Sequence, residues 1–159
     1  MTRIDFYFNA PDKLGMAVKL AHKAWANKNH LLIYTRDAAQ LDALDRLLWT
    51  AQPTSFLPHC RAGHQLAAQT AILLTADAAT LDSAAMPHHE VMLNLDPEHP
   101  AQFSRFERLL EIVSRDDQED RVRARARHKF YRDRGYDITT VDLANLKQKQ
   151  RAHDHPGTA

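Results

Sequence analysis

His30–Thr35, HLLIYT, is the stretch whose reading decides the fold. A strand with one wet face alternates apolar and polar residues. A run that is apolar at nearly every position reads instead as a strand covered on both faces, as in a parallel sheet between helices. Its flanks agree. Upstream, Asp12 opens a helical pattern with Leu14, Ala17, Val18, Ala21, Ala24 and Trp25, reaching about Lys28. Before that, Arg3–Asn9 (RIDFYFN) is rich in β-formers and bounded by Pro11, so it reads as a first strand. Downstream, Asp37 stands at the cap of DAAQLDALDRLLWT, where Leu41, Leu44, Leu48 and Trp49 recur at helical spacing.

The alternation continues. Ala51–Gly63 (AQPTSFLPHCRAG) is a proline-marked loop, and Ala71–Thr75 (AILLT) is a third strand. Ala76–His89 is small and polar, a short turn or helix, and Glu90–Leu95 (EVMLNL) is a fourth strand. After Pro97 and Pro100 the spacing of Phe103, Phe106, Leu109, Leu110 and Val113 predicts an amphipathic helix over Ala101–Val113. A second helix is expected over Ser114–Gly135, then a short extended segment over Tyr136–Leu143. Strands alternating with helices predict an α/β layer fold with a mostly parallel central sheet. Residues 1–146 are expected to form one domain, and 147–159 a polar, frayed tail.

With 159 residues the chain is long enough to bury a proper core, and 44% hydrophobic with 26% charged residues is ordinary for a globular protein. The net charge of +1 leaves electrostatic attraction to local asymmetry, which favours a localised anionic partner over wrapping of long nucleic acid. The single cysteine, Cys60, excludes an internal disulfide and fits a reducing compartment. No apolar run reaches membrane-spanning length and no signal-peptide pattern opens the chain, so a cytoplasmic protein is expected.

The asymmetry is concentrated in SRDDQEDRVRARARHKFYRDRG, Ser114–Gly135. Asp116, Asp117, Glu119 and Asp120 come first. Arg121, Arg123, Arg125, Arg127, Lys129, Arg132 and Arg134 follow, and Gly135 stands at the C-terminal cap position. The alternation in RVRARAR also suits a strand, but Ala124 and Ala126 are poor strand formers and the ends favour a helix. At helical spacing Arg121, Arg125, His128, Lys129 and Arg132 share a face, Val122, Ala126 and Phe130 form an apolar stripe, and Ala124 with Tyr131 form another. Such a helix either buries a seam and presents guanidiniums to an anion, or is a solvated helix whose arginines pair with its own acids.

Other chemistry finds less support. Close backbone approach to a phosphate needs clustered glycine after a strand, and the only glycines are Gly15, Gly63, Gly135 and Gly157. His59, Cys60, His64, His88 and His89 lack the paired spacing of a metal site, and nothing marks a triad around Cys60. No catalytic residue, metal or cofactor is expected. Trp49, Phe56, Leu57 and Pro58 cluster at a helix end and loop, as a core lid or as the anchor of a protein interface.

Together, LDALDRLLWT…SFLPH..AG (Leu41–Gly63), FSRFERLLEIV (Phe103–Val113) and RARARHKFYRDRGY (Arg123–Tyr136) resemble the chi subunit of bacterial DNA polymerase III. DFYF near the start and HLLIYT fit as well, and the resemblance runs from about residue 3 to 143.

The resemblance implies a Rossmann-like three-layer fold without a nucleotide site, and a non-catalytic accessory subunit of the clamp-loader assembly in DNA replication. Its implied partners are the psi subunit, the acidic C-terminal tail of single-stranded-DNA-binding protein and, through the psi surface, a helicase of the XPD type. DNA is reached only indirectly. By position the psi surface falls on Trp49, Phe56 and Pro58. The tail pocket falls on the basic helix and the end of the preceding helix. Arg125 matches a pocket arginine, Arg121 stands where a lysine can occur, His128 where a tyrosine can, and Ser114 where a valine can. The rival from another class is direct binding of single-stranded nucleic acid by the arginine helix.

Overall fold

A computed structural model gives the fold, and residues 1–50, 57–83 and 86–145 are described. The expected strand in HLLIYT is β2 (Leu31–Tyr34), buried at all four positions and paired in parallel on both sides. Its odd residues, Leu31 and Ile33, face one apolar cluster, and Leu32 and Tyr34 face the other. This is the both-faces burial that its composition requires.

Among the described residues, seven strands form one parallel sheet: β1 (Arg3–Ala10), β2, β3 (His59–Arg61), β4 (Ile72–Thr75), β5 (Val91–Asn94), β6 (Arg108–Ser114) and β7 (Asp137–Asp142). Their spatial order is β3-β4-β2-β5-β6-β1-β7, and every pairing is parallel. Helices α1 (Lys13–Ala26) and α2 (Ala38–Thr50) cover one face. The short α3 (Ala78–Asp82) and α4 (Gln118–Asp133) cover the other. The chain is therefore a three-layer α/β domain of Rossmann-like outline. Among the described residues, no helix is long and apolar enough to cross a membrane.

Two expectations are corrected. Ala101–Val113 is not a helix: Phe103–Arg105 form a single 3-10 turn and Arg108–Ser114 are strand β6. The five apolar side chains are all buried, so the burial forecast was right and its period was wrong. A strand buried on both faces carries no alternation, and LLEIV mimics a helix because the one polar residue inside it, Glu111, is itself fully buried. The loop Ala51–Gly63 also holds a short edge strand, β3. Residues 51–56 lie outside the described residues, as do 146–159 and hence the polar tail.

The basic stretch is a helix, as its ends indicated. The Asp117 side chain caps α4 by accepting from the Asp120 N–H at 3.1 Å. Gly135, at φ +81°, ends it, with its N–H donating to the Arg132 carbonyl and the Tyr136 N–H to the Tyr131 carbonyl. The side it buries is the second expected stripe, Ala124 with Tyr131, joined by Arg127, and not the first. Val122 and Ala126 are exposed, and Ala124, Arg127 and Tyr131 face the sheet.

Arg127 is buried because β6 brings a buried acid beneath it. Arg127 Nε donates to Glu111 Oε2 at 3.1 Å and Nη1 to the Pro97 carbonyl at 2.8 Å. Tyr131 Oη donates to the same Glu111 oxygen at 2.7 Å, and Asn94 Nδ2 lies 3.1 and 3.2 Å from the two carboxyl oxygens. Burial pushes the Glu111 carboxyl up, and Arg127, Tyr131 and Asn94 pull it only part of the way back, leaving it above the usual carboxylate range.

Removing one partner of a buried pair leaves the other charge uncompensated, at about 3–5 kcal/mol. Arg127→Met should lower the urea midpoint by that equivalent, and adding Glu111→Gln should restore part of the loss. A cost below about 1 kcal/mol for the single variant would show that this pair does not hold α4.

Candidate functional site

Strands β1 and β6 are neighbours, yet β1 leads into α1 on one face and β6 into α4 on the other. Divergence of this kind opens the crevice where α/β sheets commonly hold ligands. Here an ion pair spans it. Lys13 of α1 reaches Asp120 of α4 at 2.8 Å, and the other Asp120 oxygen accepts the Ser114 N–H at 2.8 Å. Beside it Arg36 clasps the buried Asp96 through Nε and Nη2. Asp37, Asp96, Asp117 and Asp120 line the remaining space, an acidic setting that repels a phosphate.

The other side of α4 is different. A notch of about 220 Å³ lies between α4, the C-terminal end of β1 and the edge strand β7. Its apolar wall comes from Phe6, Phe8, Val113 and Ala124. Arg121, Arg125 and His128 stand along its helix side, with Ser114, Asn9 and Thr140 at its ends. The His128 ring lies 5.2 Å from that of Phe6, centroid to centroid.

Backbone geometry makes the notch. The β1–β6 register breaks between Tyr7 and Ala10, and Asn9 sits at φ 63°, a left-handed conformation that asparagine tolerates better than most residues. The Asn9 amide then donates to Asp142 Oδ1 at 2.9 Å, tying the bulge to β7.

All four residues expected in the tail pocket, Ser114, Arg121, Arg125 and His128, therefore border one cavity. Ser114 reaches it from the end of a strand and not of a helix. Phe6, Phe8, Asn9 and Thr140 were missed. The alternation of Phe6 and Phe8 was a signal that they share a face, but nothing in the sequence brought that face under the basic helix.

The solvated-helix alternative required the arginines to pair with the helix's own acids. Those acids are largely engaged elsewhere: Asp116 with Arg115, Asp117 as the cap, Asp120 with Lys13. Glu119 pairs with Arg123 at 3.7 Å, and Arg132 lies 3.8 Å from Asp133. Arg134 lies over the Phe130 ring at 3.7 Å. Among the described residues, Arg121, Arg125 and Lys129 form no ion pair, although Arg121 helps from a distance to hold the Asp116 carboxyl down. The cations at the notch carry charge toward solvent.

At the opposite edge of the sheet, Trp49 is 56% exposed at the end of α2. Its ring lies 4.6 Å from that of His59, which is buried between the Leu57 carbonyl and the Asp45 carboxylate. Pro58 is half-buried beside them, and Phe56 lies outside the described residues. With six inter-strand spacings of about 4.8 Å between them, β3 lies roughly 29 Å from β7. The histidines weighed as metal ligands are dispersed: His64 accepts from the Leu66 N–H and His88 stacks on His30.

Comparison with known proteins is decisive for the family. The model of the DNA polymerase III chi subunit, HolC, matches residues 1–139. The chain belongs to the DNA polymerase III chi subunit family. DNA polymerase III subunit chi of Pseudomonas aeruginosa is 31% identical over 152 residues, covering 92% of this chain and all of that one. The subunit chi of Haemophilus influenzae is 27% identical over 128 residues, covering 80% of this chain and 85% of that one. This chi-family chain is thus related to an accessory subunit of a replicative polymerase.

Ser114, at the notch, is tied to the crevice through Asp120. Burial pushes the Asp120 carboxyl up, but Lys13 and the Ser114 amide more than offset this and hold it below the usual carboxylate range. A depressed carboxyl stabilises the fold above its unfolded value of about 4, and that stability is lost as pH falls through the folded value. Urea unfolding from about pH 5 downward should therefore show a shallower acid loss in Asp120→Asn than in the wild type. Identical acid limbs would contradict the role of this pair.

Proposed function

We propose that this chi-family protein is a non-catalytic adaptor. It links the clamp loader, through the psi subunit, to the acidic C-terminal tail of single-stranded-DNA-binding protein in the cytoplasm. The observation that carries the reading is the notch itself, where two guanidiniums without ion pairs among the described residues stand one helical turn apart beside an apolar slot. A tail that ends in acids, an aromatic ring and a free carboxylate needs both features. Arginine forks bind carboxylates, and the ring leaves water for the slot lined by Phe6 and Phe8. Ser114, Arg121, Arg125 and His128 are the proposed tail-binding residues.

Trp49, Phe56 and Pro58 are the proposed psi surface, with a helicase of the XPD type as a competitor for it. An exposed tryptophan at a helix end is a common centre of binding energy. Its separation from the notch lets both partners bind together. Direct capture of bare single strands is less well supported. The Phe130 ring lies between His99 at 3.6 Å and Arg134 at 3.7 Å, and Tyr131 is buried, so neither offers a free stacking face.

Loss of one charged hydrogen-bonding partner costs about 1.5–3 kcal/mol, so Arg125→Ala should weaken an acidic tail peptide roughly 10- to 100-fold in calorimetric titration. Wild-type affinity should also fall as salt rises. Equal affinity of the two proteins would remove the assignment. Trp49→Ala should abolish co-purification with psi and leave tail affinity unchanged; loss of neither would refute the psi surface.

A further inference from the structure

The notch does not end at α4. It opens onto β7, whose Thr140 forms part of its wall, and β7 is the outermost strand of the sheet. The pairing fixes which backbone groups of β7 face outward. The Arg3 N–H donates to the Glu107 carbonyl, so odd residues of β1 direct their backbone to β6 and even ones to β7. Ile4 stands opposite Ile138 and Phe6 opposite Thr140. In a parallel ladder β1 then bonds to residues 137, 139 and 141, and the N–H and C=O groups of Ile138 and Thr140 point away from the sheet. Among the described residues no other strand pairs with β7.

Open edges are usually blunted by lysine, proline, a bulge or brevity. The other edge strand, β3, has only three residues. Strand β7 runs six, DITTVD, with four consecutive β-branched residues and neither lysine nor proline. Its acids stand at the two ends, and Asp142 is engaged by Asn9, so the neutral stretch 138–141 is the part left to pair.

Resting on the tail reading above, we propose that the acidic C-terminal peptide adds to the sheet as an eighth strand, parallel to β7, with its last residue in the notch. The direction follows from position. Thr140 lies toward the C-terminal end of β7, so a peptide ending at the notch arrives along β7 in the same sense. The side chains of Ile138 and Thr140 lie on the α4 side of the sheet, with Ile138 packed against the cluster that holds Phe6 and Tyr131. Alternate side chains of the added strand project to that same side. There α4 presents Arg121, Arg125, His128 and Arg132 at three- and four-residue spacing, so acids at alternate peptide positions meet cations while the backbone pairs with β7.

The test is a backbone N-methylation scan, one position at a time, of a tail peptide with several acids and a terminal phenylalanine, titrated against the full chain. Strand addition predicts an alternating pattern: tenfold or greater loss where the N–H faces β7, and less than twofold at the positions between. In the complex, amide exchange at Ile138 and Thr140 should slow at least tenfold. Uniform small effects with unchanged exchange, while the parent peptide still binds and still fails with Arg125→Ala, would overturn the added strand and leave the notch reading standing. Failure of the parent peptide to bind would overturn both.

Discussion

A carboxylate at the centre of a sheet is the constraint around which the functional side of this protein is arranged. Glu111 lies in β6 between two parallel neighbours and is fully buried, where an unpaired charge is prohibitive. The answer comes from α4, which turns Arg127 and Tyr131 down onto it. Once these two face the sheet, the rotation of the helix is determined. Arg121, Arg125 and His128 then line the flank above β1 and β7, and Arg123 and Phe130 lie on the other. A wholly apolar seam would permit some rotation about the helix axis; a buried ion pair with three hydrogen-bonding partners is far more specific in register.

The same logic separates this chain from nucleotide-binding folds of the same general outline. The crevice at the C-terminal strand ends is occupied by the chain's own Lys13–Asp120 and Arg36–Asp96 pairs. The proposed recognition site lies to the side of it, in the notch between α4 and the sheet edge. The acids at the start of α4 are what make this possible. Because Asp116, Asp117 and Asp120 are used for capping and for bridging to α1 and to Arg115, and Glu119 pairs with Arg123, Arg121 and Arg125 form no ion pair among the described residues.

Much of this was legible in the residues. The apolar run at Leu31–Tyr34 disclosed a parallel sheet, and the acid-first, glycine-last ends of the basic stretch disclosed a helix. What stayed hidden was long-range. Arg127 looks like any other base in RVRARAR until Glu111 is placed beneath it, and Glu111 looks like the wet side of a helix until β6 is seen between β5 and β1. The pocket cations were identifiable at their positions, but their apolar wall required Phe6 and Phe8 to arrive from more than a hundred residues away. The family motifs narrowed this gap because they carry such long-range information implicitly.

The most direct measurement of the central claim is an NMR map of amide shifts in the full chain as an acidic, phenylalanine-ended peptide is added. If the peptide seats in the notch, the largest changes cluster at Phe6–Asn9, Ser114, Arg121–His128 and Thr140. Changes centred on Trp49, or spread over the acidic crevice around Asp96 and Asp120 with the notch unaffected, would contradict it.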